Sequence, residues 1–233
     1  MYSPAQIRQV RALDGVTYSL TALAFIFYFP DIFRDLPGNP SFFSLLPIAF
    51  VALSTHFFPS GEYSTAMFRK VVFRLKLVSI VMVGLSPFVI WWLRVPKEGY
   101  FMAVSGIAAG ALGWYLVELL DFLRLFLRRI EKQRLAVQAL VARTMLLYMV
   151  LVPFGTVYLA FFMANIVDGQ EILRFVRIWE FAPAAIRVFM FLPPLMALVV
   201  LWKSRRYFLV QERIGEIFRE KDSEFEEQGQ AER

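Results

Sequence analysis

Arg187, Tyr158 and Asn165 fall inside two long, mainly apolar runs. A guanidinium, a phenol and a carboxamide can together hold an anion, a carboxylate or a lipid headgroup. Arg187 lies six residues into the run that starts at Phe181, about 9 Å along a helix. A charge at that depth is either a site or a long side chain that reaches back to the headgroups. Pro153, Pro193 and Pro194 interrupt the same two runs. Each lacks an N–H, so a carbonyl four residues earlier loses its helical partner and the helix kinks. Broken helices line substrate sites in transporters, but no acidic residue near these prolines could coordinate a coupling cation. His56 is the only histidine and there is no cysteine. That excludes disulfides, thiolate nucleophiles and cysteine-ligated metal or iron–sulfur sites.

Short motifs with known chemistry fail on their key residues. PSGEYS, residues 59–64, is similar to the PSGH stretch of lipid phosphatases, but Glu62 stands where that family has its catalytic histidine. LDGVTYS, residues 13–19, shares only Asp14–Gly15 with the acidic motif of CDP-alcohol transferases, whose later aspartate pair is missing. Intramembrane serine proteolysis needs a Ser–His dyad on two spans. His56 has Ser54 and Thr55 beside it on its own span, so it reads as a hydrogen-bonded interfacial residue. No phosphate-binding glycine loop is present. The expectation is therefore a chain with no catalytic constellation, no metal site and no cofactor.

The elements that position these residues are membrane spans. Hydrophobic residues make up 58% of the 233 residues, against ~45–50% in soluble domains. Mean hydropathy is +0.56. Six runs have about the length that crosses ~30 Å of hydrocarbon: residues 16–33, 42–58, 75–93, 101–120, 144–167 and 181–202. The first is the weakest, since Pro30 and Asp31 interrupt it. Lys and Arg alternate in density between successive loops. Arg69, Lys70, Arg74 and Lys76 follow the second run, and a basic cluster follows the fourth. The other loops hold one or two basic residues each. The positive-inside rule then predicts an even number of spans with both termini inside. Trp91, Trp92, Trp179 and Trp202 fall at span ends, where indole rings favour the headgroup level.

The run SGIAAGALGWYLVELLDFLRLFLRRIEKQR, residues 105–134, changes character partway. Ala103, Gly106, Gly110 and Gly113 share one helical face, with Ala109 beside it. In lipid, small residues let two backbones approach and gain van der Waals contact. The face is expected to pack on another helix, of the same subunit or of a neighbour. From Glu118 the pattern becomes charged on one side and apolar on the other. Asp121 and Arg124 can pair at i,i+3. The helix is expected to leave the bilayer, turn, and return through residues 135–143 as a cytosolic hairpin. Arg124, Arg128, Arg129 and Lys132 would then serve to dock a cytosolic partner or anionic headgroups.

The reading that results is an all-α integral membrane protein of about six spans. Residues 1–202 form the polytopic domain and residues 203–233 a cytosolic charged helical tail. The expected function is a non-catalytic subunit packed in an oligomer or larger membrane complex. The alternative is a permease or channel for an anionic or amphipathic substrate, resting on Arg187 and the proline-broken last span. The partners expected are a bilayer with anionic headgroups, other membrane subunits or a second copy, and a cytosolic protein, with no nucleic acid. The location expected is the bacterial inner (cytoplasmic) membrane.

Overall fold

The computed structural model describes residues 4–28, 45–58, 66–94, 99–129, 132–163 and 192–206. Every element among them is helical: α1 Pro4–Tyr28, α2 Leu45–His56, α3 Ala66–Arg94, α4 Gly99–Arg129, α5 Gln133–Met145, a π turn Leu146–Leu151, and α6 Val152–Met163. Residues 192–206 form α7. Three stretches are long and apolar enough to cross a membrane: Ala66–Trp91, Ala103–Arg128 and Gln133–Leu159. Leu45–His56 is apolar but shorter. The first expected span begins within α1, and the sixth is described only from residue 192. Most of the expected tail lies outside the described residues.

Polar side chains in these helices close their hydrogen bonds within the helix that carries them. Thr17 donates to the Leu13 carbonyl at 2.7 Å, Thr55 to Val51 at 2.7 Å and Ser204 to Val200 at 2.8 Å. Such back-bonding keeps hydroxyls satisfied where water is excluded. The same device carries α3 through Pro87. That proline leaves the Val83 carbonyl without a backbone donor, and the Ser86 hydroxyl donates to it at 2.9 Å.

The elements pair in a consistent register. Phe88 meets Phe101 at one end of α3 and α4, and Phe68 meets Phe122 at the other. The hairpin is therefore antiparallel along its length. At its far end, Ser105 donates to the Phe88 carbonyl at 3.3 Å. Down α4 and back up α5 and α6 the order again reverses: Asp121 faces Arg143, Gly113 faces Leu151, and Gly106 faces Tyr158. α2 runs parallel to α4, with Thr55 against Tyr115 and Phe58 against Phe122. α1 packs on α2, where Gly15 lies under Ser54.

The tightest part of the core sits toward one end. Tyr115, Leu119, Leu120, Leu123 and Leu127 of α4 are fully buried, with Leu75 of α3, Val51 of α2 and Leu146 at the start of the π turn. The apolar stripe of the α4 extension thus does not wait for a membrane surface or a partner. α2, α3 and α5 of the same chain cover it. The physical reason is the short step from α4 to α5, which the Lys132 N–H closes on the Leu127 carbonyl at 2.9 Å. α5 then lies back along α4.

Candidate functional site

At this end three neighbouring helices place five charged side chains together. α4 supplies Glu118, Asp121 and Arg124; α3 supplies Arg74; α5 supplies Arg143. Arg74 Nη1 lies 3.6 Å from Glu118 Oε1. Arg143 Nε lies 3.0 Å from Asp121 Oδ1, with its N–H directed away from the line to that oxygen. Arg124 Nη1 lies 3.9 Å from the same oxygen. Glu118 is 3% exposed, and its Oε2 has no hydrogen-bond partner among the described residues. Burying two carboxylates is costly unless cations sit beside them. Arg74 and Arg143 supply that from the two helices flanking α4. The cluster is an electrostatic tie across α3, α4 and α5.

A second tie joins the first and last helices. Arg205 Nε donates to Asp14 Oδ1 at 2.6 Å, and Arg205 Nη2 donates to the Tyr18 hydroxyl. The guanidinium lies over the Tyr18 ring at 4.3 Å and the Trp202 ring at 4.9 Å. Trp202 Nε1 donates to Thr21 Oγ1 at 3.1 Å. A planar cation can form an ion pair at its edge while stacking on aromatic faces, which lysine cannot do in the same way. Between these ties, the Tyr115 hydroxyl lies 2.7 Å from Thr55 Oγ1, and both residues are fully buried. Since Thr55 already donates to Val51, Tyr115 is the donor.

The residues singled out in the sequence separate into several places. Arg187 and Asn165 lie outside the described residues. Tyr158 donates its hydroxyl to the Ala103 carbonyl of α4. Its ring covers Gly106, where an added Cβ would come within 2.0 Å of Cε2. At Gly113 the facing group is Leu151, 2.6 Å from such a Cβ. Gly110 has nothing within 4 Å, and Ala109 is exposed. So one face of small residues is half filled by the same chain and half open.

Pro153 stands in the first turn of α6, directly after the π turn. The Val152 N–H reaches back five residues to the Leu147 carbonyl, widening the helix just before the proline. Pro193 and Pro194 stand at the start of the described part of α7, Pro193 buried. Of the basic docking candidates, Arg124 turns toward Asp121, Arg128 is exposed, and Lys132 occupies the N-cap of α5 and is partly buried. Arg129 closes α4, and its side chain lies outside the described residues.

Sequence reasoning passed over Arg74, Arg143 and Arg205 as loop or tail charges. One signal was available: Asp14 stands beside an apolar run and Glu118 inside one, and a carboxylate there demands a cation. Which cation answers depends on helix register, which a linear pattern does not carry.

The described chain is all-helical, with three helices long and apolar enough to span a membrane. Comparison with known protein families, curated proteins and solved structures finds no match for this chain.

Proposed function

We propose that this chain is a non-catalytic integral membrane subunit that packs within an oligomer or a larger membrane complex. It crosses the bilayer about six times with both termini inside. The observation that carries this reading is the half-filled face of α4. Gly106 and Gly113 receive side chains from the same subunit, while Gly110 and Ala109 keep a backbone-close surface open between them. In lipid an open small-residue surface gains most by taking a neighbouring helix, because apolar side chains gain little from leaving the lipid. The charged end and the tail beyond residue 206 are the surfaces offered to a cytosolic partner.

Native mass spectrometry after gentle extraction tests the reading. Protein partners or copies at fixed stoichiometry are expected, and Gly110→Leu is expected to dissociate them while leaving a folded monomer. An assembly unchanged by Gly110→Leu would remove the seam; a bare monomer from the native membrane would remove the subunit reading. The cysteine-free chain also allows topology to be read by single cysteines. Asn39→Cys should react from the outside and Ser60→Cys only from the inside; the reverse pattern would invert the orientation.

A further inference from the structure

The described acidic side chains share one fate. Asp14 is taken by Arg205, Glu118 by Arg74, and Asp121 by Arg143 and Arg124. The exposed charges left at this end are all basic among the described residues, including Arg69 and Lys70 on α3, Arg134 on α5 and Lys203 on α7.

Arg69, Arg134 and Lys203 each head an exposed apolar stripe on their own helix, and Lys70 stands beside Arg69. Arg69 is followed on the same face by Phe73, Leu77 and Ile80, which are 67%, 51% and 55% exposed. Arg134 is followed by Val137 and Val141, 56% and 42% exposed. Lys203 is preceded one and two turns back by Val199 and Leu195, 49% and 47% exposed. The spacings of three, four, seven, eight and eleven residues keep each stripe in line with its cation. A cation above a ladder of exposed Phe, Leu and Val side chains matches a lipid: an anionic headgroup on the charge and an acyl chain along the ladder. An acidic soluble protein would satisfy the charge and leave the ladder bare.

We infer that α3, α5 and α7 carry binding sites for anionic phospholipid, with Arg69, Lys70, Arg134 and Lys203 as the headgroup contacts. The internal pairing of Asp14, Glu118 and Asp121 leaves the exposed charges of the described residues at this end basic. This deepens the reading of the charged end as an interaction surface, and rests on it.

The test is binding to the full chain in a neutral detergent, by native mass spectrometry and thermal unfolding. The probes are phosphatidylglycerol, phosphatidylcholine of the same chains, inorganic phosphate and polyglutamate. Phosphatidylglycerol should be retained and should raise the unfolding temperature, with phosphatidylcholine weaker on both readouts. Arg69→Gln and Lys70→Gln should each weaken retention about fivefold, the factor for losing one basic contact near a headgroup. Added salt should weaken phosphatidylglycerol retention in the unmodified protein, a readout that needs no variant.

Equal retention of both lipids overturns the inference, as does retention untouched by both variants and by salt. A full effect from inorganic phosphate would assign the charge to a free anion, and one from polyglutamate would assign it to a protein. Detergent has no sides and needs no partner subunits. A negative result therefore removes the lipid sites and leaves the subunit reading to its own test.

Discussion

Three glycines on one face of α4 differ by what stands over them. Gly106 lies under the Tyr158 ring, which is held by its hydrogen bond to the Ala103 carbonyl. A methyl group there must push a stiff ring and break that bond. Gly106→Ala is expected to destabilise the monomer by about 2 kcal/mol, the middle of the range for overpacking. Gly113 lies under the end of Leu151, a flexible side chain. Gly113→Ala should cost about 1 kcal/mol, partly offset by the better helix propensity of alanine. Gly110 meets nothing, so Gly110→Ala should be neutral or slightly stabilising in the monomer. Thermal unfolding of the three variants in detergent checks the order; a Gly110 variant as damaging as Gly106 would contradict it. The sequence placed these residues on one face, since spacing alone does that. Sorting them into filled and open needed the partner helix, because Tyr158 and Leu151 are 52 and 38 residues away along the chain.

At the scale of elements, the interruptions are handled locally. α3 continues through Pro87 because Ser86 supplies the donor that the proline lacks. Ser86→Ala should leave the Val83 carbonyl unsatisfied in a dry environment and cost about 1–3 kcal/mol. Amide exchange should accelerate around residues 83–90, and unchanged exchange there would mean that another donor serves the carbonyl. In α5–α6 the device is different: a π turn widens the helix ahead of Pro153. Proline positions were legible in the sequence, since a missing N–H is a property of the residue. The repair was not, because serine, a neighbouring helix or a wider turn can each provide it. The continuation of α4 beyond Leu120 was legible too, but its covering was not. An amphipathic pattern says which side is apolar and leaves open what lies against it.

At the scale of the molecule, ion pairs tie helices that are distant in the chain. Arg205 on α7 holds Asp14 on α1 across 191 residues. Both side chains are largely buried, so removing one partner leaves a charge without its counterion. Arg205→Ala should destabilise by about 2–3 kcal/mol, since it also removes the stacking on Tyr18 and Trp202. α7 should then loosen from α1 before the rest unfolds, read as early amide-exchange labelling of residues 195–206. Uniform melting with no early labelling would show that α7 is held by other contacts. The three paired acids also shape the outside, because taking them inward leaves the exposed charges basic at this end among the described residues.

The sequence by itself determined the class of the molecule: helical, apolar along several lengths, basic at particular boundaries and free of cysteine chemistry. These are properties of residues and of their local spacing, and a helix expresses them wherever it is placed. Only the tertiary structure decided which arginine answers Glu118, Asp121 and Asp14, and which glycines are already covered. It likewise decided that the stripe of α4 is packed by the chain itself. Each of those depends on the register between helices, and register is set by how whole faces fit together.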